Sequence, residues 1–131
     1  MKKKNLQGYT FTRNIKGLAI PTNIQSQIIR NYCEINNYSF KLHLDEFCLD
    51  GSFIQLFQIL KNKKRIDIIG MCSIYFLPED RKLLEKIFTI CKTKKIEMIF
   101  IFEGIKFKNQ NINIFIKEIT KLKKINFLTK R

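Results

Sequence analysis

Six polar side chains near the predicted ends of β-strands are the part of this sequence that could carry chemistry. In an open parallel sheet, ligands bind in the crevice beyond the carboxyl ends of the strands, and we expect these side chains to meet there. Two of them are carboxylates, which can accept hydrogen bonds or move protons. The six residues are Thr12, Arg13, Glu46, Ser73, Tyr75 and Glu103, and Asp45 stands beside Glu46 at the same strand end.

Glu46, Glu103 and Tyr75 are the candidate catalytic residues. Either glutamate could act as acid or base, or receive sugar hydroxyls, and burial can raise the pKa of such a group. Tyr75 could pack on a sugar ring or act with its hydroxyl. The alternative for both glutamates is that they are solvated loop acids.

Thr12, Arg13 and Ser73 are the candidate ligand-binding residues. Arg13 would hold a phosphate or carboxylate, because its guanidinium offers a fork of donors. The alternative for Ser73 is a strand-end hydroxyl satisfied within the protein. His43 is the only histidine, and on the polar face of its strand it is more typical of a surface residue than of a base.

Motifs for cofactors are absent from the sequence. It has no GxGxxG or GxxxxGK, and its cysteines form no CxxC or Cys/His pair, so we expect neither a cofactor nor a metal. Cys33, Cys72 and Cys91 fall on apolar faces of predicted elements, which indicates buried thiols in a reducing cytosol, whereas Cys48 falls in a loop.

The order of the predicted elements indicates one α/β domain over all 131 residues. We expect a three-layer fold with a mostly parallel four-stranded sheet and helices on both faces, because the elements alternate and crossovers are right-handed. A capping box at Ser52 and Gln55 and a first turn at Pro78 mark two helix starts. Residues 1–6 and about 125–131 are expected to be flexible. Strands are predicted within 8–12, 38–44, 66–74 and 96–102, helices within 23–35, 52–60, 78–91 and 112–122, and a loop over 104–110.

The formal net charge of +14 would ordinarily indicate nucleic acid or an anionic surface. Lysine far outnumbers arginine, however, which is the bias of a compositional background, and the basic runs resemble solvated helix ends. We therefore expect no nucleic-acid partner. The basic runs are 2–4, 61–65 and 92–95.

No signal peptide or membrane span is visible in the sequence, so the expected location is cytoplasmic. A homodimer is compatible with the fold.

One set of residues recurs in a recognisable order over about the first 105 positions: Gly8-Tyr9, Gln25, Gln27, Asp67-Ile68-Ile69, the segment 77–81 and the strand 96–102. This order resembles the catalytic domain of serine recombinases, and the resemblance implies the same fold. In that family a nucleophilic serine follows the opening Gly-Tyr by four residues, and Arg13 stands at that position. The family's acid and two arginines would fall within residues 75–79, where they are missing too. The resemblance therefore implies no DNA cleavage.

A second set of residues extends over the full length of the chain: Gly8-Tyr9, Pro21, Ile24-Gln25, Gln27, Ile29-Arg30, Tyr32-Cys33, Glu46-Phe47, the segment 73–78 and Glu103. This set resembles the sporadic carbohydrate cluster family of bacterial surface-polysaccharide gene clusters. That resemblance implies a pathway and not a reaction, and it carries no catalytic residue over.

Two functions are consistent with these observations. The first is a protein of lipopolysaccharide or O-antigen biosynthesis that binds or modifies a sugar, sugar phosphate or sugar nucleotide at the carboxyl edge of the sheet, with pathway enzymes as further partners. The second is a catalytically inactive recombinase-like module that binds nucleic acid or partner proteins. Whether the protein is an enzyme stays open at this point.

Overall fold

The computed structural model describes residues 3–14, 19–62 and 64–129, the last five through their backbone only. Strands and helices alternate along most of the chain, as the apolar periodicities predict. The elements are β1 (Asn5–Thr10), α1 (Thr22–Asn36), β2 (Ser39–Asp45), α2 (Ile54–Lys61), β3 (Ile68–Met71), a 3₁₀ turn (Ile74–Phe76), α3 (Arg81–Lys94), β4 (Glu97–Phe100), β5 (Ile105–Phe107) and α4 (Ile112–Thr129).

The sheet has the strand order β2-β1-β3-β4-β5, and its first four strands are parallel. The predicted single α/β domain with a mostly parallel sheet is thus confirmed in architecture. Across the sheet, the step from β1 to β2 goes one way, and the steps from β2 to β3 and from β3 to β4 go the opposite way. Right-handed crossovers therefore place α1 on one face of the sheet and α2 and α3 on the other.

The prediction of four strands was wrong by one, because β5 lies inside the segment predicted as a loop. β5 pairs antiparallel with β4, and Gly104, whose φ is 66°, provides the reversal between the two strands. Three residues are too few for an alternating pattern to be recognised in the sequence. Phe107 of β5 is fully buried and its ring lies 4.7 Å from that of Phe88 of α3.

Secondary structure extends into both segments that the sequence predicts to be flexible. Asn5 and Leu6, which fell in the predicted flexible segment 1–6, form the start of β1, and Leu6 is fully buried. Its side chain packs against Gly70 of β3, where an added Cβ would lie 2.8 Å from Leu6 Cδ2. The helix α4 continues to Thr129, into the predicted flexible segment 125–131.

Helix α3 begins three residues later than predicted. Pro78 precedes the helix, and Asp80 is the N-cap residue, with its carboxylate accepting hydrogen bonds from the backbone N–H groups of Lys82 and Leu83. An aspartate satisfies the first N–H groups directly, and this is a stronger start signal than proline. At the other end, Lys95 adopts the left-handed conformation that ends many helices, as Asn37 does after α1.

Thiol accessibility tests this packing. Cys33, Cys72 and Cys91 are buried and Cys48 is exposed, as predicted. Burial raises the pKa of Cys33 to about 11 and those of Cys72 and Cys91 to about 12. Since the thiolate is the reactive form, we expect one fast equivalent of disulfide-reagent labelling at pH 8 and at least about 100-fold slower labelling of the rest.

The fast equivalent should disappear in Cys48→Ser, and every remaining cysteine should react after unfolding in guanidinium. A second cysteine that reacts as fast as Cys48 in the native protein would contradict the packing of α1, β3 or α3.

Candidate functional site

The carboxyl edge of the sheet receives all six residues singled out from the sequence, because each follows a parallel strand. Thr12 and Arg13 follow β1, and Glu46 follows β2. Ser73 and Tyr75 follow β3, while Glu103 follows β4. They do not form one constellation, however. Arg13 and Glu46 belong to one cluster, and Ser73, Tyr75 and Glu103 belong to another. Thr12 lies outside both clusters and is the one residue of the six with an exposed side chain.

Glu46 is a buried hydrogen-bond acceptor and not a solvated loop acid. It is 2% exposed, and its two carboxylate oxygens together accept bonds from side chains and from the backbone. A buried carboxylate is stable only when such donors replace its water shell. The donors are Tyr9 Oη (2.9 Å), Ser52 Oγ (3.0 Å) and the backbone N–H groups of Phe47 (3.0 Å), Gln55 (3.2 Å) and Leu56 (3.2 Å).

Glu46 caps helix α2 from outside the helix. Gln55 and Leu56 lie in the first turn of α2, whose own N-cap residue, Phe53, supplies no side-chain hydrogen bond. The carboxylate satisfies two otherwise unpaired N–H groups and places negative charge at the positive end of the helix. The predicted capping box was therefore wrong, because Ser52 donates its hydroxyl proton to Glu46 instead of capping the helix itself.

Tyr9 joins this network from β1. Its burial, followed by the nearby charge of Glu46, raises the pKa of the Tyr9 hydroxyl well above its ordinary value. The hydroxyl therefore stays protonated and donates to Glu46 across the physiological pH range. Nothing in the sequence pattern around Gly8-Tyr9 indicated this partnership, because the two residues are 37 positions apart.

Arg13 holds the loop between β2 and α2. Its Nη1 donates to the carbonyl oxygens of Phe47 (3.4 Å) and Leu49, and its Nη2 donates to that of Ser52 (2.7 Å). The guanidinium also lies 4.1 Å from the ring centroid of Phe11. Donors that were expected to hold a phosphate are thus engaged with backbone carbonyls.

The Glu103 cluster shapes the turn that follows β3. The Ser73 hydroxyl donates to Glu103 Oε2 (2.8 Å), and the backbone N–H of Ile74 donates to Glu103 Oε1 (2.9 Å). The Ser73 oxygen in turn accepts from the Tyr75 N–H (3.1 Å), which starts the 3₁₀ turn. The Tyr75 hydroxyl donates to the Lys123 carbonyl of α4 (3.2 Å), so both candidate residues of this turn are held within the fold.

These arrangements limit the chemistry of the carboxyl edge. Ser73 is 1% exposed, so a substrate could not reach its hydroxyl without displacing the turn. Glu46 is equally inaccessible. Glu103 is half-buried and keeps one side towards solvent, but each of its oxygens already accepts a hydrogen bond. In the described part of this edge, the two glutamates and Ser73 thus position the start of α2 and the turn after β3.

The opposite, amino edge of the sheet holds a feature that the sequence analysis missed. Cations from the three basic runs line two adjoining grooves there, although the runs are far apart in the chain. Their position in the sequence could have revealed them, since no more than two residues separate the end of each run from the start of a strand of the parallel sheet.

Comparisons with known proteins show the fold. No protein-family model and no curated protein matches this chain. The N-terminal catalytic domain of TP901-1 integrase is 16% identical with a TM-score of 0.66, over 98% of this chain and 100% of that one. A resolvase family site-specific recombinase from Streptococcus pneumoniae is 12% identical with a TM-score of 0.67, over 98% of this chain and 93% of that one. The chain thus has a resolvase-like fold.

No helix in the described part of the chain has the length and apolar composition that a membrane span requires.

The structural role of Glu46 predicts a loss of stability when its charge is removed. In Glu46→Gln an amide NH₂ would face N–H and O–H donors, so we expect the free energy of unfolding to fall by about 2–3 kcal/mol. Tyr9→Phe, which keeps the ring and removes one donor, should cost about 1 kcal/mol. Urea unfolding followed by circular dichroism measures both changes.

The matched control is Glu34→Gln, the same substitution at an exposed position of α1, which should change stability by less than about 0.5 kcal/mol. If Glu46→Gln were no more destabilising than this control, the carboxylate would be dispensable to the fold and available for chemistry.

Proposed function

We propose that this protein is a non-catalytic binding module with a resolvase-like fold, and that it binds nucleic acid through its basic surface. The observation that carries the proposal is the environment of Arg13. The resemblance to serine recombinases places the nucleophile at this position, and here the position is occupied by a side chain that donates to three loop carbonyls. A residue used in this way is part of the scaffold.

The rest of the carboxyl edge supports the absence of catalysis. The positions at which the resemblance would place an acid and two arginines, 75–79, form the 3₁₀ turn and the segment leading into α3. The two candidate carboxylates, Glu46 and Glu103, accept hydrogen bonds from α2 and from the turn. The serine, the acid and the two arginines that the resemblance would place at this edge are all replaced by other residues.

The choice of nucleic acid as partner rests on charge. The sequence alone favoured a compositional origin for the net charge of +14, because its basic runs are dispersed along the chain. The fold concentrates cations of these runs at one edge of the sheet, which creates the local positive potential that phosphates require. Of the similar solved structures named above, one is described as a resolvase family site-specific recombinase and the other as the catalytic domain of an integrase.

The sugar-binding function implied by the carbohydrate-cluster resemblance remains a prediction. Its candidate residues are mostly those that the fold already engages, with Thr12 and the open side of Glu103 as the accessible ones. Thermal shift with sugar nucleotides and sugar phosphates tests it directly. Stabilisation by one of these ligands that is lost in Thr12→Val or Glu103→Gln would favour that function over nucleic-acid binding.

We expect binding of DNA without cleavage. Fluorescence anisotropy with a 20-base-pair duplex should show an affinity that falls steeply between about 50 and 200 mM salt. Incubation with supercoiled plasmid, followed by denaturing electrophoresis, should show neither nicked DNA nor a covalent protein–DNA adduct.

The control variant Arg13→Ser restores the residue type that the resemblance places at this position. It should remain inactive, because the acid and arginines are missing as well. Nicking or a covalent adduct from either protein would contradict the non-catalytic part of the proposal, and undetectable duplex binding at 50 mM salt would contradict the choice of partner.

A further inference from the structure

Two adjoining grooves lie at the amino edge of the sheet, with volumes of about 460 and 570 Å³. They share Arg65 and Asp67, so they form one continuous depression, which we call the amino-edge groove. Its floor includes the buried residues Ile59, Ile66 and Ile96. Its cationic lining residues are Lys3, Lys4, Lys64, Arg65, Lys94 and Lys95.

Parallel pairing explains why these residues meet. Lys3 and Lys4 precede β1, Lys64 and Arg65 precede β3, and Lys94 and Lys95 precede β4. Because parallel strands start at the same edge, their approach segments lie side by side. Backbone hydrogen bonds fix the arrangement: Asp67 N–H donates to the Asn5 carbonyl (3.0 Å), and Glu97 N–H donates to the Asp67 carbonyl (2.9 Å).

The acidic groups at this edge neutralise only part of the positive charge. Asp67 accepts from Arg65 Nε (3.2 Å) and from the backbone N–H of Asn5 (2.8 Å). Glu97 is buried and pairs with Lys4 Nζ (2.7 Å). Among the residues that the structure describes, two acids therefore face the six cations that line the groove, and the two ion pairs account for two of those cations.

Protein contacts account for one more cation. Lys94 Nζ donates to the carbonyl oxygens of Leu60 and Asn62 at the end of α2, a structural use that suits the negative end of a helix. The three that remain, Lys3, Lys64 and Lys95, are exposed and have no ion pair among the residues that the structure describes. Like charges brought together in this way repel, and an anion in the groove would relieve that repulsion.

The composition of the groove indicates which anion it suits. None of the lining residues in the described part of the chain is aromatic, so unpaired bases would find no ring to stack on. The lysines come from three separate segments and spread along the groove, as contacts to successive phosphates require. Flexible ammonium groups also suit phosphates as point charges without reading base edges.

We propose that the amino-edge groove binds the phosphodiester backbone of double-stranded nucleic acid without selecting sequence. This inference rests on the proposed function and assigns that function a site. The site lies at the edge opposite to the one at which a ligand of an open α/β sheet is ordinarily expected.

The test compares two variants that remove the same charge. Lys3→Gln/Lys64→Gln/Lys95→Gln removes the three groove lysines that have no ion pair. Lys82→Gln/Lys117→Gln/Lys121→Gln removes three exposed lysines of α3 and α4, none of which lines the groove. Both variants lower the net charge equally, so any difference between them reports position and not total charge.

We expect the groove variant to bind a 20-base-pair duplex at least about 10-fold more weakly at 100 mM salt. The slope of log K against log salt should become shallower by about 2–3, because three phosphate contacts are lost. The α3/α4 variant should stay within about 3-fold of the unmodified protein. Thermal unfolding of both variants should match that protein, since none of the six side chains has an ion pair within the described residues.

The possible failures are distinguishable. If both variants bound the duplex equally weakly, the groove would not be the binding site, because the total positive charge of the protein would then hold the duplex. The proposed function would remain intact. Absence of duplex binding by the unmodified protein would overturn both. A third outcome is that polyglutamate binds more tightly than the duplex and that the groove variant loses this affinity. That result would overturn nucleic acid as the occupant and indicate an acidic protein partner instead.

Discussion

The carboxylate of Glu46 is the interaction on which the carboxyl half of this fold depends. Glu46 directly follows β2, and its carboxylate accepts a hydrogen bond from Tyr9 of β1 and caps the first turn of α2. One buried group thereby fixes two strands and a helix relative to one another. Burying its charge costs desolvation free energy, and this cost is offset because several donors bond to the carboxylate at once. The elements that supply these donors must therefore keep their positions relative to one another.

Arg13 extends the same constraint to the neighbouring loop. The carbonyls that it holds belong to the segment between Glu46 and α2, so loop and helix start are positioned from both sides. Aromatic rings complete the arrangement, with Phe11 stacked on Phe76 at 5.3 Å beneath the guanidinium. The described side chains at this edge are thus mostly engaged within the fold, at the place where α/β folds usually bind their ligands.

The amino edge has the opposite character. Helices in such a fold run antiparallel to the strands, so their C-terminal carbonyls face this edge and favour cations. Lys94 serves that purpose at the end of α2. The amino-edge groove holds more lysines than helix capping requires, and this distinguishes it from an ordinary row of capped helix ends. The proposed binding site therefore lies at the amino edge of the sheet and not at the carboxyl edge.

Much of the architecture follows from the sequence, because apolar periodicity and strand–helix alternation are local properties. The buried runs around β3 and β4, the stripes of the helices and the three buried thiols were all readable from the residues in order. β5 was not, because three residues carry no period. The contacts of Glu46 and Arg13 were not readable in full, because Tyr9 lies 37 positions from Glu46 and the carbonyls that Arg13 holds lie 34 to 39 positions from it. Side-chain type alone does not reveal whether a polar group will face solvent or the protein.

The sequence by itself determined that this chain forms one α/β domain whose parallel strands end in polar residues, and that it carries a large positive charge. Only the tertiary structure decided where that charge lies and which polar groups remain accessible. The physical reason is that composition sets the number of charges, whereas the potential that a partner meets depends on the distances between them. Those distances are set by parallel strand pairing, which brings the starts of β1, β3 and β4 together at one edge.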